Sequence, residues 1–307
     1  MRKIFDVLII CTKDRPVQLE SRLIELSHFA VLPNTILIVD SSKTTETELV
    51  VNNSFKRFTT EIRYIRTKPG LPFQRNCGIR WVFENYMGTQ IVHFLDDDII
   101  PSTNYFSTLL RLFEMNPDAI AIGGYDKNLD AKIHSSPYRR ILGLGSSQSG
   151  VILKSGIAIP PAPKAEIHAS EWLVGGMQSI RAEVFQHHIF DSSLRMYGED
   201  IDFYLRISSL GKIICSKNLP IIHLNDPTNR DSIRKLNLYH NGMRWHLATK
   251  YPQSVNRRRV VAAAFILAFG ELGRSILRGN KNNFLASIGN FEFILKLLTN
   301  QQVVQLS

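Results

Sequence analysis

Cysteine is scarce in this sequence. The three present, Cys11, Cys77 and Cys215, are isolated and odd in number. No CxxC pair occurs, so neither a disulfide framework nor a zinc ribbon is indicated, and a reducing compartment is the simplest home. Long apolar runs are also missing. The longest uncharged one, residues 260–270, has 11 residues, against the roughly 20 that a membrane-spanning helix needs. The start, Met1-Arg2-Lys3-Ile4-Phe5-Asp6, is charged and passes straight into a strand-like pattern, so no secretory leader is expected there. Zinc-finger spacing and an RNA-binding aromatic signature are both lacking, which argues against nucleic acid as a partner. No internal repeat is visible.

What is present describes a globular chain. Its 307 residues are 44% hydrophobic and 21% charged, enough for a full core in one large domain or two. The net charge is +10, with its densest cluster at Arg257-Arg258-Arg259. Such a balance fits anionic partners: phosphate-rich substrates or an acidic membrane surface. The first half alternates short apolar runs with helical patterns. Residues 5–11, 35–39, 61–66 and 91–95 read as strands. Pro16 opens a helix carrying Leu19, Leu23 and Leu26, and another helix runs through Arg75 and Trp81. This rhythm predicts a doubly wound α/β layer.

Further on, residues 101–115 read as a helix and 119–123 as a strand. Between 126 and 164 the pattern weakens under Gly143, Gly145, Gly150, Gly156 and Pro160-Pro161, and a mobile lid or acceptor loop is expected. Residues 171–177 then read as a strand and 181–185 as a short helix. A further helix follows Tyr197-Gly198-Glu199-Asp200, and short strands at 213–216 and 220–224 end near His223. Beyond 225 come three amphipathic helices. Ile233, Leu236, Tyr239, Met243 and Leu247 mark the first. The arginine triplet opens the second, and Phe284, Ile288, Phe291, Leu295 and Leu298 recur along the third. Two regions are expected, 1–225 and 226–307.

The acidic residues carry the chemistry. Ile91-Val92-His93-Phe94-Leu95 ends in Asp96-Asp97-Asp98, and ligands of open α/β sheets collect beyond such strand ends. Adjacent aspartates repel one another unless a cation sits among them, and hard oxygen ligands suit Mg²⁺ or Mn²⁺. Asp40, also at a strand end, and Arg75 would share that sheet edge, which suits a nucleotide diphosphate. Glu199-Asp200 stands at a helix N-terminus, where a carboxylate is favoured and can take a proton from a hydroxyl. His223 can complete a metal site, and Trp172 can stack on a sugar ring. Each has a plainer reading. Asp40 and Glu199-Asp200 can be helix caps, the aspartate run a solvated turn, Arg75 a surface charge, and His223 and Trp172 packing residues.

Taken together, Asp40-Ser41-Ser42, Gln74-Arg75-Asn76-Cys77-Gly78, Phe94-Leu95-Asp96-Asp97-Asp98, Gly175-Gly176 and Gly198-Glu199-Asp200-Ile201-Asp202 resemble the family 2 glycosyltransferases of GT-A fold, over roughly residues 5–225. The resemblance implies a Rossmann-like mixed sheet flanked by helices, with 226–307 as a C-terminal helical appendage. It implies inverting, non-processive transfer of one sugar from a nucleotide-diphospho-sugar to an acceptor hydroxyl. Thr12, Arg15, Asp40, Arg75, Asp96 and Asp97 would bind the donor, with Asp98 and His223 holding Mn²⁺ or Mg²⁺. Asp200, beside Glu199, would be the catalytic base, and Trp172, Gly175 and Gly176 would lie on the acceptor side. Ser41 departs from the family, which often has a second acidic residue there, and the QxxRW signature of processive synthases is absent.

The basic amphipathic tail fits either a helix lying on an anionic membrane or a helical layer packing on the sheet or on a second subunit. The first reading places the protein in the cytoplasm, peripheral to the inner face of the cell membrane. A lipid-linked acceptor, as in bacterial surface polysaccharide assembly, is then expected. Two other functions compete. A sugar nucleotidyltransferase usually shows a glycine-rich loop after strand one, where this chain has Thr12-Lys13-Asp14-Arg15-Pro16. A non-catalytic membrane-surface binder explains the basic tail and leaves both acidic clusters idle.

Overall fold

The structure is a computed structural model that describes residues 4–129, 136–194, 198–224 and 231–301. In chain order the elements begin with β1 (Asp6–Thr12), α1 (Pro16–Leu26), β2 (Thr35–Asp40), α2 (Glu46–Ser54) and β3 (Glu61–Arg66). There follow α3 (Leu71–Asn85), β4 (Ile91–Leu95), β5 (Ile99–Pro101), α4 (Tyr105–Met115) and β6 (Ala119–Asp126). Next come α5 (Pro137–Ile141), β7 (His168–Ala169), β8 (Met177–Arg181), α6 (Glu199–Ile207) and β9 (Lys212–His223). Three long helices close the chain: α7 (Ile233–Lys250), α8 (Arg257–Arg278) and α9 (Lys281–Leu298).

These elements form two compact units. One comprises Met1–Leu129 and Pro161–Asp226, the other Asp130–Pro160 and Pro227–Ser307. The sequence places the division near 225 and leaves 126–164 with the catalytic part. The structure instead gives 130–160 to the helical unit.

In the first unit the described strands form one mixed sheet, ordered β3-β2-β1-β4-β8-β6-β9-β5, with β7 on β9. β3, β2, β1 and β4 run parallel. β8 then enters antiparallel to β4 and β6. All seven residues of β1 and all six of β2 are buried, as expected for parallel strands covered on both faces. Leu19, Leu23 and Leu26 of α1, at helical spacing, join Leu8, Ile10, Ile36 and Ile38 in the core on one side. Asp6 within β1 is kept satisfied by His93, whose Nε2 lies 3.0 Å from its carboxylate.

Three expectations change here. Residues 101–115 are not one helix: Ile99–Pro101 forms β5, antiparallel to β9, before α4 begins. The strand expected at 171–177 starts only at Met177, where pairing with β4 begins. The two strands expected at 213–216 and 220–224 are the single 12-residue β9. Pro220 fits inside it because the β6–β9 ladder shifts register between Gly123 and Tyr125, opposite that proline. Tyr197 lies outside the described residues.

In the second unit, side-chain caps start the long helices. The Ser232 hydroxyl accepts from the Lys235 amide, and Asn256 from the Arg259 amide. α8 runs to Gly279, whose left-handed φ of 62° ends it. The helix has 22 residues, and an 18-residue stretch within it has a mean hydropathy of 1.8, so by length and composition it is apolar enough to cross a membrane. The 11-residue run at 260–270 is only part of this helix, which continues through the paired Glu271 and Arg274, so the expectation of a stretch too short to span a bilayer does not hold. Nor are residues 136–160 a free lid: Leu144, Ile157 and Ile159 are buried with Ala263 of α8.

Candidate active site

β1, β2 and β4 run parallel, so their C-terminal ends share one sheet edge. Thr12 registers against Asp40 there, and Leu95 hands on to the three aspartates. Asp97 turns inward. It accepts from the Thr12 hydroxyl at 2.7 Å and from Arg15 Nη1 at 3.0 Å. Burial pushes its pKa up to about 6 in spite of both partners. These contacts fasten the acidic turn to β1 and α1.

Asp98 is placed by the sheet. Ile99 pairs with His223 across β5 and β9, which brings His223 Nε2 to 3.2 Å from Asp98 Oδ1. Arg15 Nη1 lies 3.6 Å from the other Asp98 oxygen. The hydrogen bond to Asp98 raises the His223 pKa above its ordinary value, against the effect of burial. Carboxylate oxygens beside an imidazole nitrogen are the donor chemistry that Mn²⁺ accepts, with Mg²⁺ favouring the oxygens. The residues fit the ion expected from the sequence.

Arg75 is the centre of the site, and it is buried. Its Nη1 donates to Glu199 Oε1 at 3.0 Å, and Nη2 lies 3.7 Å from Asp96 Oδ1. The guanidinium stands over the Phe190 ring at 5.3 Å and the Phe94 ring at 5.9 Å. Burial works against its charge, but Glu199 and Asp96 outweigh that, and its pKa ends above the usual arginine value. Gly175 and Gly176 are explained here. A Cβ on Gly175 would stand 2.6 Å from Arg75 Nη1, and one on Gly176 would fall inside the Asp96 carboxylate. Both glycines let backbone close over the charged pair.

Glu199 and Asp200 part company. Gly198, at a left-handed φ of 98°, turns the chain into α6. Glu199 is buried against Arg75. Asp200 is half-buried and accepts from the Ile201 amide at 2.8 Å and the Gly175 amide at 3.3 Å. Burial, then the Glu199 charge, raises its pKa to about 7. A carboxylate tuned there is matched to a base working near neutral pH.

The sequence matches the profile of Glycosyl transferase family 2 over residues 8–187. The chain belongs to glycosyl transferase family 2. It is a transferase enzyme, and solved structures of GT-A type share its fold. A mannosyltransferase from Pyrobaculum calidifontis, in complex with GDP-Man and Mn²⁺, is similar with a TM-score of 0.62 at 13% identity. That match covers 98% of this chain and 88% of the other. S. aureus TarS (residues 1–349) gives a TM-score of 0.52 at 11% identity, over 94% and 80% of the two chains. Glucosyl-3-phosphoglycerate synthase from Mycobacterium tuberculosis, with Mn²⁺, UDP-Glc and phosphoglyceric acid, gives 0.52 at 14% identity, over 80% and 79%. No curated protein matches the sequence.

The transferase holds its remaining expected residues differently from one another. Asp40 is fully buried. It accepts from the Ser42 amide at 2.8 Å and hydroxyl at 2.5 Å, and from the Tyr64 hydroxyl at 2.9 Å. Next to it the Ser41 hydroxyl is buried and finds no partner among the described residues. Trp172 is only 7% exposed, so its ring is packing and not an open platform for a sugar. Glu199, expected beside the base, is taken up in a buried ion pair with Arg75. Three residues carry weight that sequence reading did not assign. Gln74 Nε2 donates to the Thr12 and Val39 carbonyls, holding the ends of β1 and β2. Asn76 bonds the Phe190 backbone in both directions. Tyr64 braces Asp40. Gln74 and Asn76 stand in the Gln74-Arg75-Asn76-Cys77-Gly78 stretch of the family resemblance, and that placement was their signal.

Proposed function

We propose that this transferase moves one sugar from a nucleotide-diphospho-sugar to an acceptor hydroxyl by a single, inverting displacement. Support for the donor class comes from two structural neighbours solved with GDP-Man and with UDP-Glc, each with Mn²⁺. The observation that carries the reading is Asp200: a half-buried carboxylate whose pKa of about 7 leaves it ready to accept a proton.

Asp98 and His223 would hold Mn²⁺ or Mg²⁺, with Asp96, beside Arg75, on the donor. A divalent ion bound there supplies charge stabilisation to the departing diphosphate. Asp200 takes the acceptor hydroxyl proton as the acceptor oxygen bonds to the anomeric carbon. The bond from that carbon to the diphosphate breaks, and its electron pair leaves with the nucleoside diphosphate. Arg75 fixes Asp96 and Glu199 in place through this step and keeps Glu199 from competing as base. Asp97, held by Thr12 and Arg15, keeps the acidic turn rigid. Ser41, with an unused hydroxyl beside Asp40, is assigned to the nucleoside side of the donor.

Thermal unfolding against nucleoside diphosphates, with and without Mn²⁺, tests the donor site. At ~100 times its dissociation constant a ligand stabilises by roughly 2.7 kcal/mol. One nucleoside diphosphate is expected to raise the Tm only with Mn²⁺, and the shift should vanish in Asp98→Asn. A shift that persists in that variant overturns the metal assignment. No shift with any nucleotide overturns the donor class.

A further inference from the structure

The second unit leaves one broad surface unaccounted for. Along α8, Phe265, Phe269, Leu272 and Ile276 recur at steps of four, three and four, a spacing that lines one helix face. Phe269 is 60% exposed and Ile276 75%. Along α9, Phe284, Ile288, Phe291, Leu295 and Leu298 do the same, with Leu295 60% and Leu298 76% exposed. The Phe269 and Phe291 rings meet edge-on at 5.2 Å, which joins the two stripes into one apolar face.

The opposite sides of both helices are covered by their own unit. Val260, Ala263, Ala264 and Ala268 of α8 are buried, as are Ala286, Phe293 and Ile294 of α9. Polar groups sit there too: Ser287 donates to the Ala268 carbonyl at 2.9 Å, and Asn241 to Asn290 at 2.6 Å. Only the other face is open to lipid, and the charged Glu271 and Arg274 within α8 would be costly at membrane depth. α8 therefore suits a membrane surface and not its interior, even though its length and hydropathy permit crossing.

Charge selects the occupant. Between Arg257 and Leu298 stand seven lysines and arginines against two glutamates. Both glutamates are already neutralised within the unit, Glu271 by Arg274 and Glu292 by Arg234 at 2.8 Å. Arg258 and Arg259 at one end of α8 are exposed, as are Arg278 and Lys281 at the other. A second copy docking through the same face would set five excess positive charges against five more, and two-fold symmetry makes that unavoidable. Anionic headgroups complement the same charge, and the apolar stripes between the basic ends match the headgroup–acyl boundary.

We propose that the α8–α9 hairpin is a membrane-docking surface that lies in the plane of an anionic bilayer, with Phe269, Ile276, Leu295 and Leu298 inserted and the terminal basic residues on headgroups. The class of ligand is an anionic phospholipid surface. This does not rest on the transfer reaction, and its test needs neither donor nor acceptor.

Flotation of the full chain with vesicles of phosphatidylcholine alone, or mixed with phosphatidylglycerol, decides it. The protein is expected to rise with the mixed vesicles and stay behind with the neutral ones. Phe269→Glu with Ile276→Glu should lower the partition at least tenfold (an order-of-magnitude expectation). Arg258→Gln should lower it about fivefold, the effect of one basic residue near an anionic surface. All three positions are exposed, so circular dichroism and the melting temperature should match the parent, and sedimentation equilibrium should report a monomer. Three results overturn the proposal: no flotation of the parent, flotation undiminished in the double glutamate variant, or a dimer that this variant dissociates.

Discussion

Glu199 closes on Arg75, while Asp200, one residue later, accepts from backbone amides and keeps a pKa of about 7. The division of labour between neighbouring carboxylates depends on a single buried cation. It leads to a prediction for Asp200→Asn with two readouts. Transfer is expected to fall by at least about a thousandfold, within the range that a base and its positioning supply, with donor affinity retained in a binding assay. Stability should move the other way. The Asp200 pKa is raised in the folded state, so the native protein holds a proton that the unfolded chain, near pKa ~3.9, has released. Stability from this group is present at low pH and is lost as pH rises through about 7. The asparagine variant should therefore melt above the parent at pH 8, and the gap should narrow toward pH ~4. An equal melting temperature at both pH values contradicts the shifted carboxylate. The parent's transfer rate should rise with pH and level off above about 7.

Among the elements, the turn before β8 is the most constrained. Gly175 and Gly176 cover Arg75 and Asp96 with no room for a side chain. They differ in what they cover, and so in what alanine should do. Gly175→Ala drives a methyl against the Arg75 guanidinium, which is buried and cannot retreat; overpacking of this kind costs about 1–3 kcal/mol, and the melting temperature should fall. Gly176→Ala displaces the Asp96 carboxylate, which is partly exposed at 31% and can swing aside. That variant should keep most of its stability and lose affinity for the donor nucleotide, read by calorimetry. If both variants lose stability equally, the turn is structural throughout. At this scale the sequence was legible where periodicity is strong. β1, β2 and β4 are continuous runs of buried strand character, and their positions follow from local composition alone. β5 has three residues, too few to show a period, and exists because β9 lies beside it. β9 reads as two strands because Pro220 interrupts the pattern, and only the register shift opposite it shows why one strand tolerates that residue. The length of α8 was hidden in the same way, since its charged pair of Glu271 and Arg274 breaks the uncharged run without breaking the helix.

For the whole molecule, the net charge of +10 is a long-range property that no single contact explains. The proposed nucleotide-diphospho-sugar donor is doubly anionic; its approach to a basic protein is steered, and the effect is screened as the Debye length falls from ~30 Å at 0.01 M salt to ~8 Å at 0.15 M. The second-order rate constant kcat/KM is expected to drop several-fold across that range while kcat stays level, because screening acts on encounter and not on the buried site. A kcat that falls in parallel would place the salt effect in the chemical step.

The family, the strand run and the order of the acidic motifs were set by the sequence alone, because each depends on residues close together in the chain. Apolar period decides a buried strand, and three aspartates at its end carry their chemistry wherever the strand goes. What only the tertiary structure decided is the employment of each carboxylate. Asp97 became a brace because Thr12, 85 residues away, reaches it. Glu199 became the partner of Arg75 across 124 residues, and Asp200 was left as the carboxylate proposed to be the base. Asp98 met His223 through a strand pairing between β5 and β9. Partners so distant in the chain leave no local signature, and the balance between burial and a paired charge exists only once the sheet has brought them together.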